Sequence, residues 1–329
     1  MEKILTALII GILSSIIIAP FIIKYAKKLK ASQTILEYVK EHSAKQGTPT
    51  MGGLIFLFAL IIGGLFLLKK DSTLAFMCIM SALGYGVIGF LDDFIKIKFK
   101  QNMGLKPYQK IIGQVGISLI LSFFIYNFIG GEIYIPFTLT KINIGFWIIP
   151  LSIVIYLAIV NSTNLIDGLD GLCSGVSVQY LLWVVIFLLL FSNKMGFVGL
   201  KLTEIENLVL VSVVMIGSLV GFRIFNCFPA KIFMGDTGSL ALGGFLGSVL
   251  LFSQNPFLIA ILGIMFVVTA LSDIIQVFVY KWKKKRVFKM APLHHHFQMI
   301  GLHENKIVEI YILITAVVGI LNIILTSVL

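Results

Sequence analysis

Hydrophobic residues fall in long solid runs along this chain, at about 4–23, 51–68, 73–91, 111–129, 146–160, 172–191, 207–225, 238–254, 257–280 and 307–329. A helix needs roughly 20 apolar residues to cross ~30 Å of hydrocarbon, and runs of that order recur throughout. Helices satisfy their own backbone hydrogen bonds in lipid, whereas a membrane barrel shows the alternating pattern that these runs lack. The pattern predicts an all-α, polytopic integral membrane protein with about ten transmembrane helices, in a single domain over residues 1–329. An Ile/Tyr/Thr-rich stretch at 130–145 predicts a small hairpin between spans four and five.

Composition sharpens this picture. Of 329 residues, 58% are hydrophobic and only 12% charged, against about 25% charged in soluble proteins. The net charge of +11 would suit a nucleic-acid binder, but its placement points elsewhere. Alternate connections, at 24–50, 92–110, 161–171, 222–238 and 281–306, hold 20 of the 26 basic residues. The positive-inside rule assigns that side to the cytoplasm and both termini to the outside. Lys24, Lys27, Lys28 and Lys30 follow the first apolar run, so it reads as an anchor and not as a signal peptide. Cys78, Cys173 and Cys227 are scattered and read as small core residues.

Polar segments with chemical potential all lie on the cytoplasmic side. Lys45-Gln46-Gly47-Thr48-Pro49-Thr50-Met51-Gly52-Gly53 opens span two. Its glycines permit close backbone approach, and Lys45 with the threonine hydroxyls, Thr50 included, offers phosphate contacts; helix-entry punctuation is the alternative. Asp92 and Asp93 sit at the inner end of span three, opposed by the macrodipole and by each other. Either Lys96, Lys98 and Lys100 surround them as a solvated charged face, or a divalent cation does so.

The stretch at 161–171 has no basic residue but carries Asn161, Asn164, Asp167 and Asp170; a helical turn would set the two acids on one face. Asp236, in Gly235-Asp236-Thr237-Gly238 before span eight, is either an N-cap or a carboxylate beside free N–H groups, a place for metal and phosphate. The run Lys281 to Lys289 reads as an anionic-lipid contact or orientation anchor. His294, His295 and His296 follow it. In an extended segment they would point in alternating directions, which disfavours zinc and suits phosphate contact or proton transfer.

Five aspartates on one membrane face, with amides, histidines and lysines around them, describe a Mg²⁺-assisted phosphoryl-transfer site whose second substrate comes from the membrane. No Walker or kinase signature is present, which argues against ATP hydrolysis. GTPTMGG at 47–53, FLDDF at 90–94, NLIDGLDGL at 164–172, FMGDTGS at 233–239 and MAPLHHHF at 290–297 closely resemble the phospho-N-acetylmuramoyl-pentapeptide transferase family of bacterial peptidoglycan synthesis. The resemblance covers essentially the whole chain in motif order and span number.

That resemblance implies a multi-pass enzyme of the bacterial inner (plasma) membrane, with a homodimer as its assembly. It implies that UDP-N-acetylmuramoyl-pentapeptide and undecaprenyl phosphate react, with Mg²⁺, to give lipid I and UMP. By motif, Asp236 is the main metal ligand with Asp92 and Asp93 beside it, and Asp92 is the better proton acceptor. Asn161, Asn164 and Asp167 line the cleft. Lys45, Gly168, Leu169, Asp170, Asn226 and Phe233 match the nucleoside and diphosphate pocket, Phe233 stacking on uracil, and His294 and His295 approach the diphosphate or sugar. The alternatives are a related N-acetylhexosamine-1-phosphate transferase and a secondary transporter. The acids crowd the cytoplasmic ends and not the midplane, which disfavours transport. Asp273, inside span nine, is expected to be buried and hydrogen-bonded.

Overall fold

Each of the ten apolar runs folds as helix, in the expected order. The computed structural model describes residues 1–29, 47–68, 71–101, 103–138, 140–195 and 201–328. Its helices are α1 (Glu2–Lys28), α2 (Gly53–Leu67), α3 (Thr73–Phe99), α4 (Pro107–Phe124), α5 (Ile148–Ile166), α6 (Leu172–Phe191), α7 (Leu202–Asn226), α8 (Gly235–Phe252), α9 (Leu258–Leu262), α10 (Ile264–Lys283), α11 (Leu293–Met299) and α12 (Glu304–Val328). Among the described residues nine helices are long and apolar enough to cross a membrane, and α2, with 15 residues, is a shorter apolar one. The expected hairpin is β1 (Glu132–Tyr134) against β2 (Lys141–Asn143), antiparallel with Ile133 opposite Ile142.

Four local expectations change. The ninth run is two helices, interrupted at Gly263. Helices also outlast the apolar runs: α3 continues to Phe99 and α5 to Ile166. An apolar run measures contact with hydrocarbon, whereas the backbone ladder continues into polar residues beyond it. Asp92, Asp93, Asn161 and Asn164 therefore stand on rigid helix and not on loops. The three histidines lie on α11, about two turns of helix, and not on an extended segment. Asp273 is half-buried on α10 and, among the described residues, has no hydrogen bond or ion pair, so a buried, bonded role is not what the fold gives it.

Between helices the small residues decide the packing, as expected where lipid supplies no hydrophobic drive to associate. Helix α8 is the axis, 94% buried along its span. It presents Gly238, Gly243, Gly244 and Gly247 to its neighbours, and Gly238 lies directly against Gly53 of α2. A Cβ on Gly89 of α3 would overlap the Asp236 carbonyl, so these two helices touch backbone to backbone at the inner end. Helix α1 meets α7 in the same way through Gly11 and Gly217, and Ser15 donates to the Ser218 carbonyl at 2.8 Å. At the opposite end Lys201 pairs with Asp71 at 2.7 Å, and Glu204 accepts the Leu74 N–H at 3.0 Å.

Gly89→Val should therefore force α3 and α8 apart at an overpacking cost of about 1–3 kcal/mol, lowering the melting temperature. Gly116→Val on α4, where a Cβ meets nothing within 4 Å, is the control. Equal melting of the two variants in detergent would refute the close-contact account.

Candidate active site

The five polar segments meet at one end of the bundle. Asp92, Asp93 and Asp236 offer carboxylate oxygens that all lie within 4.8 Å of one another. The pair of acids reaches them from the last turns of α3, and Asp236 from the first turn of α8. Two ammonium groups stand among them. Lys96 Nζ is 2.6 Å from Asp92 Oδ2 and 2.9 Å from Asp236 Oδ2. Lys110 Nζ, from the first turn of α4, is 2.7 Å from Asp236 Oδ2 and 3.6 Å from Asp92 Oδ1. Asn164 donates to Asp236 Oδ1 at 2.8 Å and to Ser239 Oγ at 2.8 Å.

Neighbouring Asp92 and Asp93 do different work. Asp93 Oδ2 accepts the Thr237 N–H at 2.9 Å and its hydroxyl at 2.7 Å, and Oδ1 accepts the Asp236 N–H at 3.3 Å. It thus caps α8 from another helix, satisfying N–H groups that a helix start leaves open. Asp236, for which an N-cap role was one expectation, already lies inside the helix, which frees its carboxylate for the cleft. Asp92 accepts the Leu105 N–H at 2.9 Å, and Gly104 packs against that carboxylate so closely that a Cβ would overlap it. Thr50 Oγ1 is buried against Gly235, whose φ is +74°, and has no hydrogen-bond partner among the described residues. Lys45 lies outside the described residues.

Beside the carboxylates two turns form a second wall. At 227–234 the chain is pinned to the entry of α2: Phe233 N–H donates to the Pro49 carbonyl at 2.8 Å, and Gly52 N–H to the Phe233 carbonyl at 2.8 Å. Asn226 is buried and its amide is spent inside, donating to the Ile232 carbonyl at 3.1 Å and accepting from Ser174 at 3.1 Å. At 167–171 the chain leaves α5 in a turn, so Asp167 and Asp170 do not share a helical face. Asp170 Oδ2 accepts the Ala230 N–H at 3.0 Å, tying the two turns together, while Leu169 is buried between them and its neighbours. Asp167 stays half-buried, and burial together with Asp236, Asp93 and Asp170 nearby pushes its carboxyl well above the usual carboxylate range.

Helix α11 closes over Gly168. A Cβ there would overlap His294 Nε2, and His295 Nε2 is close behind. His294 is fully buried, and among the described residues neither ring nitrogen has a hydrogen-bond partner. Burial and the adjoining His295 ring, 4.3 Å away, hold the imidazole well below its ordinary pKa, so it is neutral at pH 7. His295 Nδ1 pairs with Gln298 Oε1 at 2.8 Å.

Some members of this site carried no clear mark in the sequence. Lys110 was one of many lysines in the connections between apolar runs; the usable signal was its place in the first turn of a helix, where the macrodipole disfavours a cation unless an acid waits there. Lys96 turns inward, whereas Lys98 lies over the Phe94 and Phe99 rings, so the charged face is not a uniform solvated one. Gln114, one turn beyond Lys110, exchanges hydrogen bonds with Asn161 at 2.8 and 3.3 Å and so sets its amide.

Comparison with known proteins follows the same residues. The family model for glycosyl transferase family 4 matches residues 75–254, and phospho-N-acetylmuramoyl-pentapeptide-transferase signature 1 matches residues 45–57. A phospho-N-acetylmuramoyl-pentapeptide-transferase of Clostridium botulinum is 42% identical over 97% of this chain and 95% of its own length. Relatives of the same description in Desulfitobacterium hafniense and Clostridioides difficile are 39% and 43% identical, over 98% and 96% of this chain and 97% and 95% of theirs.

A neutral buried His294 has a consequence for stability. As pH falls through the unfolded value of about 6.5, the unfolded chain binds a proton that the folded one refuses, so stability drops on acidification. His294→Gln should remove up to about 1.4 kcal/mol per pH unit of that slope. Melting temperatures without substrate between pH 7 and 5 are the check, and parallel slopes in the two proteins would contradict it.

Proposed function

The chain belongs to the phospho-N-acetylmuramoyl-pentapeptide-transferase family, and from that premise we propose that it makes lipid I for peptidoglycan synthesis. The reaction moves phospho-N-acetylmuramoyl-pentapeptide from UDP-N-acetylmuramoyl-pentapeptide to undecaprenyl phosphate and releases UMP. One observation carries the reading: Asp92, Asp93 and Asp236, distant in sequence, converge with Lys96 and Lys110 at one end of a membrane bundle.

The donor set fits a hard divalent cation. Three carboxylates outnumber two ammonium groups, and carboxylate oxygens are the preferred ligands of magnesium. Asp236, with Asp92 beside it, would hold Mg²⁺, since Asp93 is committed to the start of α8. When bound, the ion supplies charge neutralisation on the diphosphate. The remaining steps belong to the protein's own side chains. Lys96 and Lys110 present cations to phosphate oxygens, and Asn164 fixes the direction of Asp236. Asp92 accepts the proton of the lipid phosphate, whose oxygen is the nucleophile toward the phosphorus next to the sugar. A new P–O bond forms there as the bond to UMP breaks.

The nucleoside sits between the turns at 167–171 and 227–234, with Phe233 stacking on uracil and Gly168, Leu169, Asp170 and Asn226 along the walls. Thr50 and Lys45 reach the phosphates, Asn161 and Asp167 line the cleft, and His294 and His295 receive the diphosphate or sugar. Loop charge supports placing this face in the cytoplasm of a plasma (inner) membrane with both termini outside. A homodimer belongs to the same proposal.

UMP release should require both the lipid phosphate and a divalent cation, with Mg²⁺ effective; substrate crossing without chemistry would instead mark a transporter. Asp236→Ala should cut turnover by about 10²–10³ or more, taking the loss of one preorganised electrostatic group as the scale, and near-normal activity would reject its role. Phe233→Ala should raise the nucleotide KM with little change in kcat, and an unchanged nucleotide affinity would remove the stacking assignment.

A further inference from the structure

Two charged side chains outside all five sequence motifs hold the turn at 167–171. Glu304, in the first turn of α12, is 1% exposed and accepts the Asp170 backbone N–H. Arg223, in the last turn of α7, donates through Nη1 to the Gly171 carbonyl at 2.6 Å. Its guanidinium lies over Gly175 of α6, where any Cβ would overlap it. The two ends of the Asp170-Gly171 dipeptide are thus gripped by opposite charges from two helices. One residue before Glu304, the His303 ring meets Phe228 edge-on at 5.2 Å, so the start of α12 also contacts the turn at 227–234.

The chemistry is out of proportion to a turn that merely connects helices. A carboxylate removed from water is costly, and a backbone N–H at the cytoplasmic face can hydrogen-bond to water without one. Charge-assisted hydrogen bonds are short and directional. Here they fix a segment in which Gly171, at φ +74°, has the freest backbone.

We propose that Arg223 and Glu304 are positioning residues of the nucleotide pocket, opposed charges that lock the Asp170-Gly171 dipeptide and through it Gly168 and Leu169. The inference rests on reading 168–170 as pocket wall. Neither side chain touches substrate; both act through the backbone they hold.

The test uses the full chain in detergent, with nucleotide KM, lipid-phosphate KM, kcat and melting temperature measured for Glu304→Leu, Glu304→Gln, Arg223→Met and Asp170→Asn. Glu304→Leu and Arg223→Met should raise the nucleotide KM about tenfold, the scale of one lost charged hydrogen bond, with lipid-phosphate KM and kcat within about twofold. Glu304→Gln keeps an acceptor oxygen and should restore a nucleotide KM close to that of the unmodified protein. If Glu304→Leu fails to fold, Arg223→Met and Glu304→Gln carry the result. A loss shared equally by both substrates, or a Gln variant as impaired as Leu, overturns the proposal. If Asp170→Asn raises the nucleotide KM while Arg223→Met leaves it unchanged, the clamp fails and the pocket stands. If Asp170→Asn also leaves it unchanged, the pocket assignment itself fails.

Discussion

Backbone contact between α3 and α8 at Gly89 and Asp236 is the constraint on which the rest of the structure depends. With no side chain between them, the last turns of one helix reach the first turn of the other. Asp93 then caps α8 across the contact, and Asp92 and Asp236 turn toward a common cleft. The cap also explains why two adjacent acids persist at a helix end that disfavours both. Asp93 is offset by the open N–H groups of a second helix, and Asp92 by Lys96 and Lys110.

Charge balance governs the cleft. Carboxylates at the boundary of a bilayer cannot stay unpaired at low cost. The bundle surrounds them with ammonium groups, an asparagine donor and backbone N–H groups rather than with one exclusive partner. Shared, exchangeable partners suit the proposed function, in which the site would admit a diphosphate and a cation and then release a nucleotide. His294 adds a different quality, a neutral imidazole held over Gly168 whose ring nitrogens have no hydrogen-bond partner among the described residues. Rigid helices carry the charges, and short pinned turns form the wall beside them.

Much of this was legible in the chain because its signals are local. Solid apolar runs record lipid contact. Isolated acids in an otherwise apolar protein stand out for the cost of keeping them there. Asp92, Asp93 and Asp236 could be grouped as one site on that basis. Lys110, Gln114, Arg223 and Glu304 could not, because each looks like an ordinary residue at a helix end until the partner across the bundle is seen. The arrangement of the histidines was misjudged for a related reason: a helix of about two turns after a proline leaves too short a pattern to distinguish from extended chain.

By itself, the sequence determined the class of protein, the order of its apolar helices, the crowded face and the family to which its motifs belong. These follow from periodicity, composition and short contiguous strings, which need no knowledge of what lies opposite. Only the tertiary structure decided the division of labour: Asp93 as a cap and Asp92 as the carboxylate paired with Lys96 and Lys110, Lys96 turned inward and Lys98 outward, Asp170 and Asn226 bracing turns. The reason is physical. A side chain's role here is set by the hydrogen bonds and charges it meets, and many of those partners come from elements tens to more than a hundred residues away along the chain.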